Sequence, residues 1–175
     1  MITRIQQDYP EALTVHRLDM ETSGILLTAR SEQSQRAMSI LFQNREVEKK
    51  YIAIVDGLLE KTNGEINLPL IADWPNRPKQ KVDLDNGKPS KTAYKLLNDN
   101  KKKKTSRIEL SPLTGRSHQL RVHMFAIGHA ILGDKLYAPE NIINKSNRLL
   151  LHASYISFTQ PFTKKNITVE CPVSF

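Results

Sequence analysis

With one cysteine, Cys171, among 175 residues, the chain cannot close an internal disulfide or build a zinc site on several thiolates. No apolar run approaches the ~20 residues that a membrane-spanning helix requires. The opening Met1-Ile2-Thr3-Arg4-Ile5-Gln6-Gln7-Asp8 has neither the apolar core nor the small-residue cleavage site of a secretory leader, so a cytoplasmic protein is expected. A Gly-x-x-x-x-Gly-Lys phosphate loop and a Gly-x-Gly-x-x-Gly fingerprint are both missing, which removes the usual scaffolds of nucleotide hydrolysis and dinucleotide chemistry. Ser23, His16 and Asp19 supply the letters of a hydrolase triad, but they fall within eight residues and no Gly-x-Ser-x-Gly elbow accompanies them.

Acidic residues are in deficit. Twenty-six Lys and Arg against eighteen Asp and Glu leave a net charge of +8, a balance that favours a polyanionic partner. The basic residues are not gathered on one amphipathic helix with a bulky apolar face, as an anionic membrane surface would require, so nucleic acid is the expected partner. At 39% hydrophobic and 25% charged residues the composition is globular, and the length predicts one domain. No sustained heptad pattern points to a second chain, and a monomer is expected.

Patterning predicts an α+β fold, a mixed and largely antiparallel sheet with helices packed on it. Ile25 to Thr28 reads as a buried strand. Ser31 is placed to cap a helix carrying Ala37, Met38, Leu41 and Phe42 at helical spacing. Lys49 to Val55 reads as a strand ended by Asp56-Gly57, with Tyr51 near its start. The segment Asp73 to Lys81 is a polar loop whose two prolines bar regular pairing. Lys91 to Leu97 and Thr105 to Leu110 form a hairpin whose tip, Lys101 to Lys104, reads as solvated. Thr114-Gly115-Arg116 turns into a helix with Leu120, Met124 and Ile127 on one face and Gly128 at its end, so that Arg116 enters at the helix start. Leu149 to Phe158 and Ile167 to Val173 supply two further strands.

Asp19 follows a basic pair and precedes a Thr-Ser-Gly turn, a place on a loop where a carboxylate can do chemistry. Metal catalysis is not expected. His118 and His123 share a predicted helix, but five residues at 3.6 per turn set them about 140° apart, whereas a shared ligand face needs a spacing of three or four.

His16-Arg17-Leu18-Asp19 followed by Thr22-Ser23-Gly24, then Lys50-Tyr51, then Gly115-Arg116-Ser117-His118-Gln119-Leu120-Arg121-Val122-His123 resemble, in order, the motifs of the RluA family of RNA pseudouridine synthases. The likeness runs from about Tyr9 to the carboxyl end, through Gly133-Asp134 and Leu150-Leu151-His152-Ala153. The loop from Asp73 to Lys81 is similar to that of family members that modify both 23S ribosomal RNA and transfer RNA. The resemblance implies that Asp19 is the catalytic aspartate, Tyr51 the active-site tyrosine beside the target base, and Arg116 the arginine that pairs with the aspartate and keeps it charged.

The implied reaction breaks the bond between uracil N1 and ribose C1′, turns the base and rejoins it through C5, an isomerisation that needs neither metal nor organic cofactor. Attack by Asp19 on C1′, abstraction of the 2′-proton to give a glycal, and addition at C6 all remain open. Arg17 is a candidate to clamp a flanking phosphate or to fill the gap left by an extruded base. Arg77, Lys79, Lys81, His118 and Arg121 are candidate RNA contacts, and a stem-loop is the expected substrate because an unpaired uridine is cheap to extrude. Family members carry further strands ahead of the segment matching Tyr9, so residues 1–175 are expected to form a catalytic domain lacking them. An RNA-binding module without catalysis and a basic hydrolase are the alternatives.

Overall fold

A computed structural model describes residues 2–175. In chain order these form α1 (Ile2–Asp8), β1 (Leu13–Thr14), β2 (Ser23–Gly24), β3 (Thr28–Ala29), α2 (Glu32–Gln43), β4 (Glu48–Asp56), β5 (Asn63–Asn67), β6 (Leu70–Ala72), a 3-10 turn (Trp74–Asn76), β7 (Gln80–Val82), β8 (Lys91–Asn100), β9 (Thr105–Pro112), α3 (Gln119–Ala126), α4 (Glu140–Ile143), β10 (Leu151–Thr159) and β11 (Asn166–Glu170). The main sheet runs β11-β10-β4-β9-β8-β5 with antiparallel neighbours, and β2 adds a short parallel pairing to β10. This is the α+β, largely antiparallel architecture expected from the sequence.

Strand β4 is buried from both sides, which explains its near-continuous apolar run. Tyr51, Ala53 and Val55 face a core made with Ile108, Leu110, Leu149, Leu151 and the α3 residues Leu120 and Met124. Ile54 faces the other way, against Ala130, Leu132 and Ile142. Helix α2 begins as expected at Ser31, whose Oγ accepts the Ser34 N–H at 3.2 Å, and it packs Met38 on Val47, Ile156 and Phe158.

A bulge in β10 between Ala153 and Tyr155 pairs Ile156 with Lys49 and Ala153 with Tyr51. Without that extra residue Ile156 and Phe158 would point away from the face that carries Leu151 and Ala153. Helices α2 and α3 therefore cover two ends of one sheet face, and a cleft between them is floored by Lys49, Tyr51 and Leu151.

Two local expectations are corrected. Ile25, Leu26 and Leu27 lie in no strand; the regular pairing is confined to Ser23–Gly24 and Thr28–Ala29. Gly24 at φ 105° turns the chain there, and Ile25 and Leu27 pack on the α2 cluster. Helix α3 begins at Gln119, not at Arg116, because His118 at its N-cap takes a left-handed conformation with φ 54° and ψ 16°. The Lys91–Asn100 and Thr105–Pro112 hairpin is present with Lys101 to Lys104 at its tip. The segment of two prolines forms the 3-10 turn joining the short pair β6–β7.

Candidate active site

Asp19 is set by a tight turn in which its carbonyl accepts the Thr22 N–H at 3.0 Å. The turn is anchored downstream: Gly24 lies against β10 so closely that a Cβ there would sit 2.1 Å from the Ala153 carbonyl oxygen. Upstream, His16 Nε2 accepts the Leu27 N–H at 2.9 Å. The carboxylate is thus carried on a loop pinned at both ends.

Among the described residues no hydrogen bond reaches the Asp19 carboxylate. The nearest basic-side-chain nitrogens are Arg121 Nη1 at 3.8 Å and His118 Nε2 at 3.9 Å. It opens on the cleft of about 1060 Å³, which is also lined by His16, Arg17, Lys49, Tyr51, Arg116 and His118. The volume is in the range of small-molecule sites.

The arginine beside Asp19 is Arg121, which corrects the expected pairing with Arg116. The turn at Ser117-His118 leaves Arg116 exposed, with Nε donating to the Pro89 carbonyl at 3.4 Å. Arg121, in the first turn of α3, faces inward instead. It is 3% exposed and donates through Nε and Nη2 to the 1%-exposed Asp134 at 2.9 and 2.5 Å. Burial opposes its charge, but the hydrogen bond and charge of Asp134 more than offset that and hold the guanidinium firmly protonated. So committed, Arg121 cannot also be the surface phosphate contact expected of it.

Tyr51 is half-buried at the cleft floor. Burial, reinforced by the charge of Asp19, pushes its phenol up to about 12, so near neutral pH it presents an aromatic face and a hydroxyl donor, not a phenolate. His118 is tied from behind: its Nδ1 lies 2.6 Å from the Tyr137 hydroxyl, and that oxygen accepts the Gln80 N–H at 2.9 Å. In the tautomer in which the phenol donates to Nδ1, the imidazole hydrogen sits on Nε2, toward Asp19. Burial lowers the His118 pKa, against the opposing pull of Asp19, so the neutral ring is favoured.

Three residues of this arrangement had no role assigned from the sequence. Gln119 accepts from Thr114 Oγ1 and Arg116 N and donates to Lys91 O and Thr92 Oγ1, clamping the Gly115-Arg116 loop onto β8. Asp134 orients Arg121, and Tyr137 orients His118. A buried glutamine and a tyrosine in a loop carry no periodic signal; only the motif neighbourhood of Gly133-Asp134 hinted at the aspartate.

The remaining candidates scatter. Arg17 is exposed and donates to Ser117 Oγ at 2.6 Å, bridging the Asp19 loop to the α3 approach. Arg77 stacks on Trp74, 3.2 Å from the ring centroid. Lys79 is half-buried, and Lys81 lies 3.9 Å from Asp83. These last three sit on the β6–β7 hairpin and do not line the cleft. His123 is buried between Thr92 Oγ1 and the Leu68 carbonyl, and no group of three or more His, Cys, Asp or Glu able to hold a metal occurs among the described residues.

The description "RNA pseudouridylate synthase" belongs to the family model that matches residues 4–126. The chain is 47% identical over 178 aligned positions to the dual-specificity RNA pseudouridine synthase RluA of Escherichia coli K12, covering 100% of this chain and 80% of that protein. With the protein of the same name from Vibrio parahaemolyticus the identity is 48%, over 98% of this chain and 70% of that one. Human RNA pseudouridylate synthase domain containing 1 superposes with a TM-score of 0.85 at 28% identity, over 98% of this chain and 73% of that chain. Human RNA pseudouridylate synthase domain containing 4 gives 0.75 at 26% identity, over 93% and 71%. A pinned, uncommitted carboxylate over a tyrosine-floored cleft thus occurs in a chain that belongs to the RNA pseudouridylate synthase family.

Proposed function

We propose that this chain isomerises uridine to pseudouridine in stem-loops of 23S ribosomal RNA and transfer RNA, with Asp19 as the group that acts on the sugar. The observation that carries the reading is the state of that carboxylate: no hydrogen bond consumes it, Arg121 stands 3.8 Å away, and the cleft before it accommodates a nucleotide. Arg121 approaches Asp19 without closing a bidentate pair, so an oxygen stays available for the ribose. Tyr51 offers the extruded uracil a face and a proton donor. Arg17 and Arg116 at the cleft rim, and Arg77, Lys79 and Lys81 on the β6–β7 hairpin, are assigned to the RNA backbone and its splayed bases. The dual substrate class follows the name of the bacterial relatives.

The conversion involves no net redox change and is read as independent of metal or organic cofactor. Within this reading residues 1–175 act as one monomeric catalytic domain in the cytoplasm. The test uses stem-loop RNA carrying uridine tritiated at C5. Asp19→Asn is expected to bind this RNA while releasing tritium at least about 10³-fold more slowly than the unaltered chain. Release at the unaltered rate would remove Asp19 from the chemistry. Binding without release by either protein would select an RNA-binding module, and strand cleavage a hydrolase.

A further inference from the structure

Lys49 is a cation without a partner on the wall of the site. It lies two residues before Tyr51 on β4 and lines the same cleft, and no carboxylate comes within 4.0 Å of its Nζ among the described residues. The nearby acids are engaged elsewhere: Glu48 with Lys50 at 3.5 Å, and Glu46 with Asn44 Nδ2 at 2.9 Å. The ammonium lies 5.6 Å from the centroid of the Phe42 ring. His16 stacks on that same ring at 4.8 Å between centroids and 22° between planes. Because His16 Nε2 accepts the Leu27 N–H, its neutral ring must carry hydrogen on Nδ1, and that donor has no partner among the described residues.

We infer that Lys49 and His16 form a phosphate-binding subsite around the Phe42 ring, built for a phosphodiester of the RNA strand next to the uridine that faces Asp19 and Tyr51. The inference rests on the RNA-modifying reading above and deepens it. Two donors without protein acceptors, one of them a half-buried charge, line the cleft together and are free to bind an incoming anion. Burial lowers the Lys49 pKa, and burial together with the Lys49 charge takes His16 down to about 4. Both trends fit two half-buried side chains set in one wall of the cleft. The remaining charges on the cleft, Arg17, Arg45, Lys91 and Arg116 against Asp19, Glu46 and Glu48, leave the surroundings net basic.

The test measures binding of a uridine-containing RNA stem-loop across a salt series, tritium release, and thermal stability for the full chain and three variants. Lys49→Met is expected to raise Kd about tenfold and to lower the slope of log K against log salt by ~0.7–0.9, the loss of one phosphate contact. Its Tm is expected to hold or rise, because an unpaired half-buried charge is removed. Lys49→Arg should restore the slope. His16→Phe keeps the stack but loses both the neutral Nδ1 donor and the acceptor of the Leu27 N–H, so Kd should rise a fewfold and the reading on the subsite is its unchanged slope.

An unaltered Kd and slope in Lys49→Met would overturn the subsite. So would weaker binding that appears only with a lowered Tm and is not rescued by arginine. If the unaltered chain binds the stem-loop but releases no tritium, the catalytic reading fails while the slope still decides the subsite; failure to bind at all overturns both.

Discussion

Arg121 shows how one side chain is made fit for its neighbour. Its charge is held by a carboxylate that is itself saturated, since Asp134 Oδ1 also accepts the Leu136 and Tyr137 N–H groups at 3.0 and 3.2 Å. The guanidinium can therefore face Asp19 with its third nitrogen and still be neutralised from behind. Asp134→Asn leaves a buried arginine without its counter-charge, which is expected to cost ~3–5 kcal/mol of stability, measurable by urea unfolding. In the same variant kcat should fall more than KM rises, because the aim of Arg121 at Asp19 is lost and the RNA surface is not. Asp19 and Tyr51 were legible in the chain through the family motifs His16-Arg17-Leu18-Asp19 and Lys50-Tyr51, not through their local chemistry, and the structure brings the two to one cleft. Which arginine meets Asp19 was not, since Arg116 and Arg121 lie in the same motif. The choice between them is made by a left-handed turn at His118 that a residue other than glycine rarely adopts.

Elements with a clean period were readable. Helix α2 with its Ser31 cap and the β8–β9 hairpin follow directly from spacing and turn chemistry, and so does the end of α3 at Gly128. Ile25 to Leu27 shows where this reasoning fails: an apolar triplet can serve a helix above the sheet as well as a strand within it, and only the backbone at Gly24 decides. That glycine allows a direct test. In Gly24→Ala the φ of 105° and the 2.1 Å approach to the Ala153 carbonyl leave no unstrained solution. A loss of ~2–3 kcal/mol is expected in thermal or urea unfolding. Because this contact anchors the Asp19 loop, tritium release should drop even at temperatures where the variant remains folded.

For the whole molecule, the positive balance of charge correctly pointed toward nucleic acid, while no composition could reveal how far apart in sequence the site residues lie. The same scale governs acid stability. His16 is depressed to about 4 by burial and then by Lys49, and burial also lowers His118 and His123. Below the ordinary histidine pKa of ~6.5 the unfolded chain takes up protons that the folded chain refuses, so stability rises with pH there and is lost on acidification. The unfolding free energy from urea titrations is expected to decline from pH 7 toward pH 4, with ~2–3 kcal/mol of the loss from His16 after allowing for partial solvent screening. A flat profile down to pH 5 would contradict neutral burial of these rings.

The two-residue parallel contact between Ser23–Gly24 and His152–Ala153 also sets a schedule. The Ser23 hydroxyl meets His152 Nδ1 at 2.8 Å across 129 positions of chain, so the loop bearing Asp19 lacks its downstream anchor until β10 has been made. At translation speeds of ~5–20 residues per second, that interval is on the order of ten seconds. A nascent chain would spend it with its reactive acid held from one side alone, and competence would arrive only with β10.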